Sequence, residues 1–379
     1  MSTVTPIRPQ RKTAERKLET ISLREVTAKR IEALMPGLLY KGKVAVLAGL
    51  PGDGKSLLAV DIAARLSIGG LRPCDPPGVF EQSRTLLMTA EDDPEDTIRP
   101  RFDVAGANVD WVDLVKGTSY VDAKGNRVLD IANLVDDLPM IEARTKEHNV
   151  KVLIIDPLTS FAGAADTNKT GEMRTLLDRL SQMAARTGVA VLIITHLNKR
   201  SDARRAMDMI AGSHVISAAV RIVLATARDP QDEKRRLVLP LKLNIDKEGG
   251  GFAYEVRGRE HPGLKTELPR MDWEKARVFD ITANEVLVQS TSRAAASVEK
   301  LKEVTDWLKE RLSAGEVKAA DMWRAAEAKK YSPRRVKDAK RAAGVVTEQK
   351  GLHGAWYWRL GASSPGVGAT DGGGEEIDA

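Results

Sequence analysis

From Lys43 to Val256, short runs of apolar residues alternate with stretches in which apolar positions recur every three or four residues. The runs are Val44–Ala48, Thr85–Thr89, Val152–Ile155, Val189–Ile194 and Val220–Ala225. Runs this short and this rich in Val, Ile and Leu predict strands buried on both faces, the pattern of a parallel sheet. Helical patterns near residues 55–67, 131–147 and 171–186 supply the cover. The expected fold class is α/β, with a mostly parallel central sheet covered by helices.

Shifts in the pattern divide the chain. Residues 1–21 mix Pro, Thr, Arg and Lys without apolar periodicity and read as a disordered basic arm, with order starting near residue 22. The sheet pattern ends near residue 260. Residues 261–296 carry Pro262, Pro269 and a Thr/Ser/Ala-rich stretch and read as a linker. Residues 297–361 form a smaller unit. Residues 362–379, Gly-, Ser- and acid-rich, read as a disordered tail.

Composition is consistent with two folded units: 379 residues, 42% of them hydrophobic, suffice for one α/β domain and a smaller companion. Cys74 is the single cysteine, which excludes an internal disulfide, and no Cys/His cluster has zinc spacing. No apolar run reaches bilayer length and the amino terminus lacks a signal-peptide core, so the expected setting is soluble and cytoplasmic, with no membrane partner. The net charge of +6 is concentrated at residues 1–43 and 297–360. Basic clusters of this kind suit phosphate backbones, although a solvated surface accounts for the amino-terminal one equally well.

The chemistry begins at Gly49-Leu50-Pro51-Gly52-Asp53-Gly54-Lys55-Ser56, a complete G-x-x-x-x-G-K-S loop between a predicted strand and the helical stretch opening at Leu57. A strand, glycine turn and helix aim backbone N–H groups and the positive helix end at one point, which suits the polyphosphate of a nucleoside triphosphate. Lys55 is placed to reach the β- and γ-phosphates and Ser56 to hold Mg²⁺. The strand Val152-Leu153-Ile154-Ile155 ends in Asp156, the position of a second carboxylate for the Mg²⁺ shell. Pro157 follows it, so the hydrolytic base must come from elsewhere. The strand Arg84–Ala90 ends in Glu91-Asp92-Asp93, at the sheet edge where open α/β folds bind ligands. Glu91 is the candidate base and Asp92 the second choice.

Together with Ile194-Thr195-His196-Leu197-Asn198-Lys199, these motifs resemble RecA-type ATPases, specifically the plasmid and phage hexameric replicative helicases (the RepA-like branch), over about residues 22–260. The resemblance implies a RecA-like P-loop fold, ATP hydrolysis with Glu91 as base, His196 as the sensor of the γ-phosphate, and a homo-oligomer, a hexamer. It implies that Lys199, Arg200, Arg204 and Arg205 belong to a loop facing single-stranded DNA in a ring channel, and that a neighbouring subunit supplies cations to the site. Arg221 and Lys242 are the candidates for that role. Asn244 stands where the family often has an arginine, which leaves the division between Lys242, Arg221 and Arg228 open.

In the smaller unit Val298, Leu301, Val304, Leu308 and Leu312 share one helical face, and Ala319–Ala328 repeats the pattern. Ser332-Pro333 opens a third helix, which Gly344 stops. That helix carries Arg334, Arg335, Lys337, Lys340 and Arg341, and a hairpin follows around Gly351 and Gly354. The unit resembles a winged helix, which implies duplex DNA contact, with a protein-interaction role as the alternative. The resulting reading is an ATP-dependent DNA motor acting in replication; a recombination or repair ATPase and an ATP-switched regulatory protein are the other readings.

Overall fold

The strand that feeds the glycine loop lies in the middle of a nine-stranded sheet. The computed structural model describes residues 18–71, 79–163, 169–198, 203, 205–210, 212–245, 250–350 and 354–361. The sheet strands are β1 (Val44–Gly49), β2 (Arg84–Thr89), β3 (Val112–Leu114), β4 (Val150–Asp156), β5 (Ala190–His196), β6 (Ile222–Arg228), β7 (Arg235–Leu243), β8 (Phe252–Glu260) and β9 (Glu267–Trp273). Their order is β9-β8-β7-β6-β1-β5-β4-β2-β3. From β6 to β3 all neighbours are parallel, and β7, β8 and β9 extend the sheet antiparallel.

Alternate residues of β1 enter two different cores. Val44, Val46 and Ala48 pack under α3 (Leu138–Glu147) and α4 (Thr170–Thr187), whereas Ala45 and Leu47 pack under α1 (Lys55–Ile68) and α2 (Arg99–Ala105). Burial on both faces is why the strand lacks polar alternation. Truncating a side chain as enclosed as Leu47 to alanine costs about 2–5 kcal/mol. Because β1, β2, β4 and β5 run the same way, the loops after them share one sheet edge, and the chemistry predicted from each strand end meets there.

The stretch expected to be a linker, 261–296, contains the edge strand β9 and the start of α6 (Ala283–Leu312), which follows α5 (Ser213–Ala219) in the chain. Pro269 lies inside β9 opposite Gly258. An edge strand turns one row of its N–H groups away from the sheet, so a proline there does not end it. Thr282 opens α6 with a reciprocal capping box to Glu285. The first turns of this helix, through Ala283, Val286 and Leu287, pack into the core of the large sheet; its last, through Val304, Leu308 and Leu312, belong to a separate core.

That second core joins the end of α6 to β10 (Val317–Lys318), α7 (Ala319–Ala328), α8 (Pro333–Ala343), β11 (Val345–Gln349) and β12 (Trp356–Leu360). The three strands form an antiparallel sheet ordered β10-β12-β11. Trp358 is buried here, with its ring edge-on to Trp323 at 5.2 Å. The Ser332 hydroxyl accepts from the Arg335 N–H at the head of α8, and Gly344 ends the helix at φ +66°. Residues 1–17, Cys74 and the tail after Gly361 lie outside the described residues, and no described helix is long and apolar enough to cross a membrane.

Candidate nucleotide site

Lys55, Ser56, Glu91, Asp156 and His196, which come from four separate segments of the sequence, line one open cavity of about 370 Å³. Pro51, Gly52, Gly54 and Leu57 complete its floor, and Asp92, Arg101 and Pro269 its walls. The loop reaches this shape by close approach. A Cβ on Gly49 would stand 1.9 Å from Thr226 Oγ1, and Gly54 holds φ +82° with the hydroxyl of Tyr254 3.4 Å from where its Cβ would be.

The loop is folded on itself. The Leu50 N–H donates to Asp53 Oδ2 at 3.0 Å, and the Asp53 N–H donates to the Leu50 carbonyl at 3.2 Å. Lys55 Nζ donates to the carbonyls of Gly49 and Leu50, both at 3.0 Å. Both acceptors belong to the loop itself, so the ammonium is held against its backbone. Burial pulls the Lys55 pKa down, opposed by the carboxylates of Asp53, Asp156 and Glu91. A buried ammonium hydrogen-bonded to carbonyls gains from an anion more than a solvated one does, because less water has to be displaced.

At the end of β4, burial raises the Asp156 pKa, and a hydrogen bond from the Ser56 hydroxyl works against that rise. Two hard oxygen donors in contact at the helix head, one of them a carboxylate whose burial leaves it in need of a cation, fit Mg²⁺. Among the described residues no cluster of three His, Cys, Asp or Glu could hold an ion by itself.

Glu91 Oε1 and His196 Nε2 are 3.8 Å apart, and His196 Nδ1 is buried with no hydrogen-bond partner among the described residues. Asp92, the second choice for the base, is tied to Arg101 at 2.6 Å. Its negative charge is already compensated by a guanidinium, whereas Glu91 has the imidazole beside it. The sequence does not single out Arg101 from Arg99 on the other side of Pro100, and only the fold of α2 brings it back to the strand end.

The other predicted residues lie apart from the cavity. Arg221 is exposed and immediately precedes β6, at the sheet edge opposite the glycine loop. Lys242 lies near it: its Nζ donates to the Val220 carbonyl at 2.8 Å and also to the Ser217 carbonyl, at the carboxyl end of α5. Arg228, at the other end of β6, is exposed on the loop's side. Lys199, Arg200 and Arg204 lie outside the described residues; Arg205 is described and exposed. On α8, Arg334, Lys337 and Arg341 are exposed at steps of three and four, and Arg335 is half-buried. Lys340 turns inward, donating to Thr347 Oγ1 at 2.9 Å with its ammonium 4.3 Å from the Trp358 ring centroid.

Comparison with known proteins gives three findings. The AAA domain family matches residues 10–202, the segment holding the loop, Glu91, Asp156 and His196. The DNA repair protein RAD51 homolog 4 of Mus musculus is 24% identical over 202 residues, 51% of this chain and 58% of that protein, so the chain spans less than two-thirds of its relative's length. A crystal structure of a KaiC-like protein from the hyperthermophilic archaeon Pyrococcus horikoshii OT3 superposes with a TM-score of 0.42 at 16% identity, covering 64% of this chain and 99% of that one.

Proposed function

Because the chain belongs to the AAA domain family of P-loop ATPases, we propose that it is a Mg²⁺-dependent ATP hydrolase that acts on DNA as a ring-forming replicative helicase or translocase. The observation that carries the reading is the meeting of Lys55, Ser56 and Asp156 with the Glu91–His196 pair at one cavity. Binding and hydrolysis need different groups, and the residues that meet here supply candidates for both.

In the proposed cycle Lys55 leaves the Gly49 and Leu50 carbonyls for the β- and γ-phosphates. Ser56 and Asp156 would hold Mg²⁺, which would supply neutralisation of the phosphate charge. Glu91 orients the attacking water and draws its proton, and His196 beside it registers whether the γ-phosphate is present. A neighbouring subunit brings a cation to the transferring phosphoryl group. Arg221 suits that role, being exposed on the edge that its own cavity cannot reach; Lys242, with its Nζ on two carbonyls, is the weaker donor. Lys199, Arg200, Arg204 and Arg205 contact single-stranded DNA in the ring channel. The carboxy-terminal unit, read as a winged helix, meets duplex DNA through Arg334, Lys337 and Arg341.

The name of the mouse relative favours a second reading, a repair ATPase that assembles on DNA. ATP turnover with and without single-stranded DNA, measured beside solution mass and strand separation, distinguishes the two. Stimulated turnover, a six-fold mass and unwinding support the motor; filaments without unwinding support the repair ATPase, and turnover indifferent to DNA counts against both.

A further inference from the structure

Four residues stand in register across the antiparallel extension. Arg228 of β6 faces Arg236 of β7, Arg236 faces Tyr254 of β8, and Tyr254 faces Trp273 of β9. Residues directly opposite in an antiparallel sheet share a face, and this face looks at the glycine loop and its helix. Arg236 donates to the Gly52 carbonyl at 3.0 Å, the Tyr254 hydroxyl donates to the Asp53 carbonyl at 3.2 Å, and Trp273 Nε1 donates to Asp61 Oδ2 of α1 at 2.6 Å. Arg235, on the opposite face, is pinned by Asp229 at 2.7 Å and Glu274 at 2.6 Å, which fixes the way Arg236 points.

In a trans peptide the carbonyl and the following N–H point in opposite directions. Gripping the Gly52 and Asp53 carbonyls from outside therefore turns the N–H groups of Asp53 and Gly54 inward. The Asp53 N–H now donates to the Leu50 carbonyl; a phosphate oxygen can take that place without any peptide flip. We infer that Arg236 and Tyr254 are positioning residues that preset the phosphate loop through its backbone, an inference that rests on the nucleotide site proposed above. Both belong to strands beyond residue 202, where the family match ends. Arg228, facing Arg236, adds positive charge on the same side, and both guanidiniums act on the Asp53 carboxylate.

The test is the affinity of the full chain for a non-hydrolysable Mg-ATP analogue, with kcat and KM for ATP. Arg236→Ala is expected to weaken binding about tenfold and to raise KM while kcat stays within about twofold. Arg236→Lys recovers most of the affinity, because an ammonium can still donate to the Gly52 carbonyl. Tyr254→Phe weakens binding several-fold, and the double variant loses less than the product of the two, since both act on one loop. Unchanged affinity in Arg236→Ala overturns the inference, as does a fall in kcat at unchanged affinity, which would make Arg236 a transition-state cation. A wild-type chain that binds no nucleotide defeats the ATPase reading as well; wild-type binding with unaffected variants defeats this inference alone.

Discussion

Glu91 Oε1 stands 3.8 Å from His196 Nε2, although the strands that deliver them, β2 and β5, are separated in the sheet by β4. The pair spans the end of the strand that carries Asp156, so the carboxylate, the imidazole and Asp156 line one cavity with Lys55. Removing the charge of Glu91 without changing its shape separates binding from chemistry. Glu91→Gln is expected to keep nucleotide affinity within about twofold and to lower turnover by about a hundredfold or more, measured as steady-state phosphate release. Wild-type turnover in this variant would assign the base to Asp92 despite its bond to Arg101.

Lys55 is buried and its ammonium donates to two backbone carbonyls. Lys55→Ala is expected to reduce ATP affinity by about a hundredfold or more, roughly 2.7 kcal/mol, by calorimetric titration. Affinity equal to wild type would remove the glycine loop from the phosphate site.

Asp156 gives a stability prediction whose sign follows from its pKa. Burial raises that pKa and nearby Glu91 adds to the rise, while the Ser56 hydrogen bond reduces it. Between the ordinary and the raised value the folded chain holds a proton that the unfolded chain has already released. Stability from this group falls as pH climbs from the ordinary carboxylate range through the raised value. Asp156→Asn is expected to stabilise the nucleotide-free protein at neutral pH by about 1 kcal/mol, with the gain fading in acid, and to lose the extra stability that Mg-ATP confers. Thermal melts across pH, with and without Mg-ATP, check both; a variant less stable at neutral pH would contradict the assigned shift.

On α8, Arg334, Lys337 and Arg341 are exposed at spacings that share one face, whereas Lys340 is held by Thr347 and Trp358. Replacing the three exposed cations by alanine is expected to lower the slope of log affinity for duplex DNA against log salt by about one unit for each phosphate that is no longer neutralised. Lys340→Ala should instead lower the melting temperature of the carboxy-terminal unit. An unchanged salt slope would point this helix at a protein partner.

The readable parts of the site are those in which chemistry and local backbone coincide. The loop from Gly49 to Ser56 is contiguous, and Asp156, Glu91 and His196 each follow an apolar run that can only be a buried strand. What the sequence hides depends on pairs far apart in the chain. Pro269 looks like an interruption because a sequence does not reveal that its strand is an edge, and β9 reads as a linker in consequence. Arg101 and Arg236 each have a second arginine beside them, Arg99 and Arg235, and nothing local marks the one that turns to Asp92 or to the Gly52 carbonyl.

By itself the sequence determined the α/β alternation, the phosphate loop and the strand-end carboxylates, because strand burial and glycine geometry are local demands met within a few residues. The tertiary structure alone decided which strands are neighbours. That order put Glu91 against His196, carried the sheet on through β9, and set Arg236 and Tyr254 under successive carbonyls of the loop. Contacts of this kind depend on cross-strand register, and register is settled by packing between distant segments rather than by the preferences of any one of them.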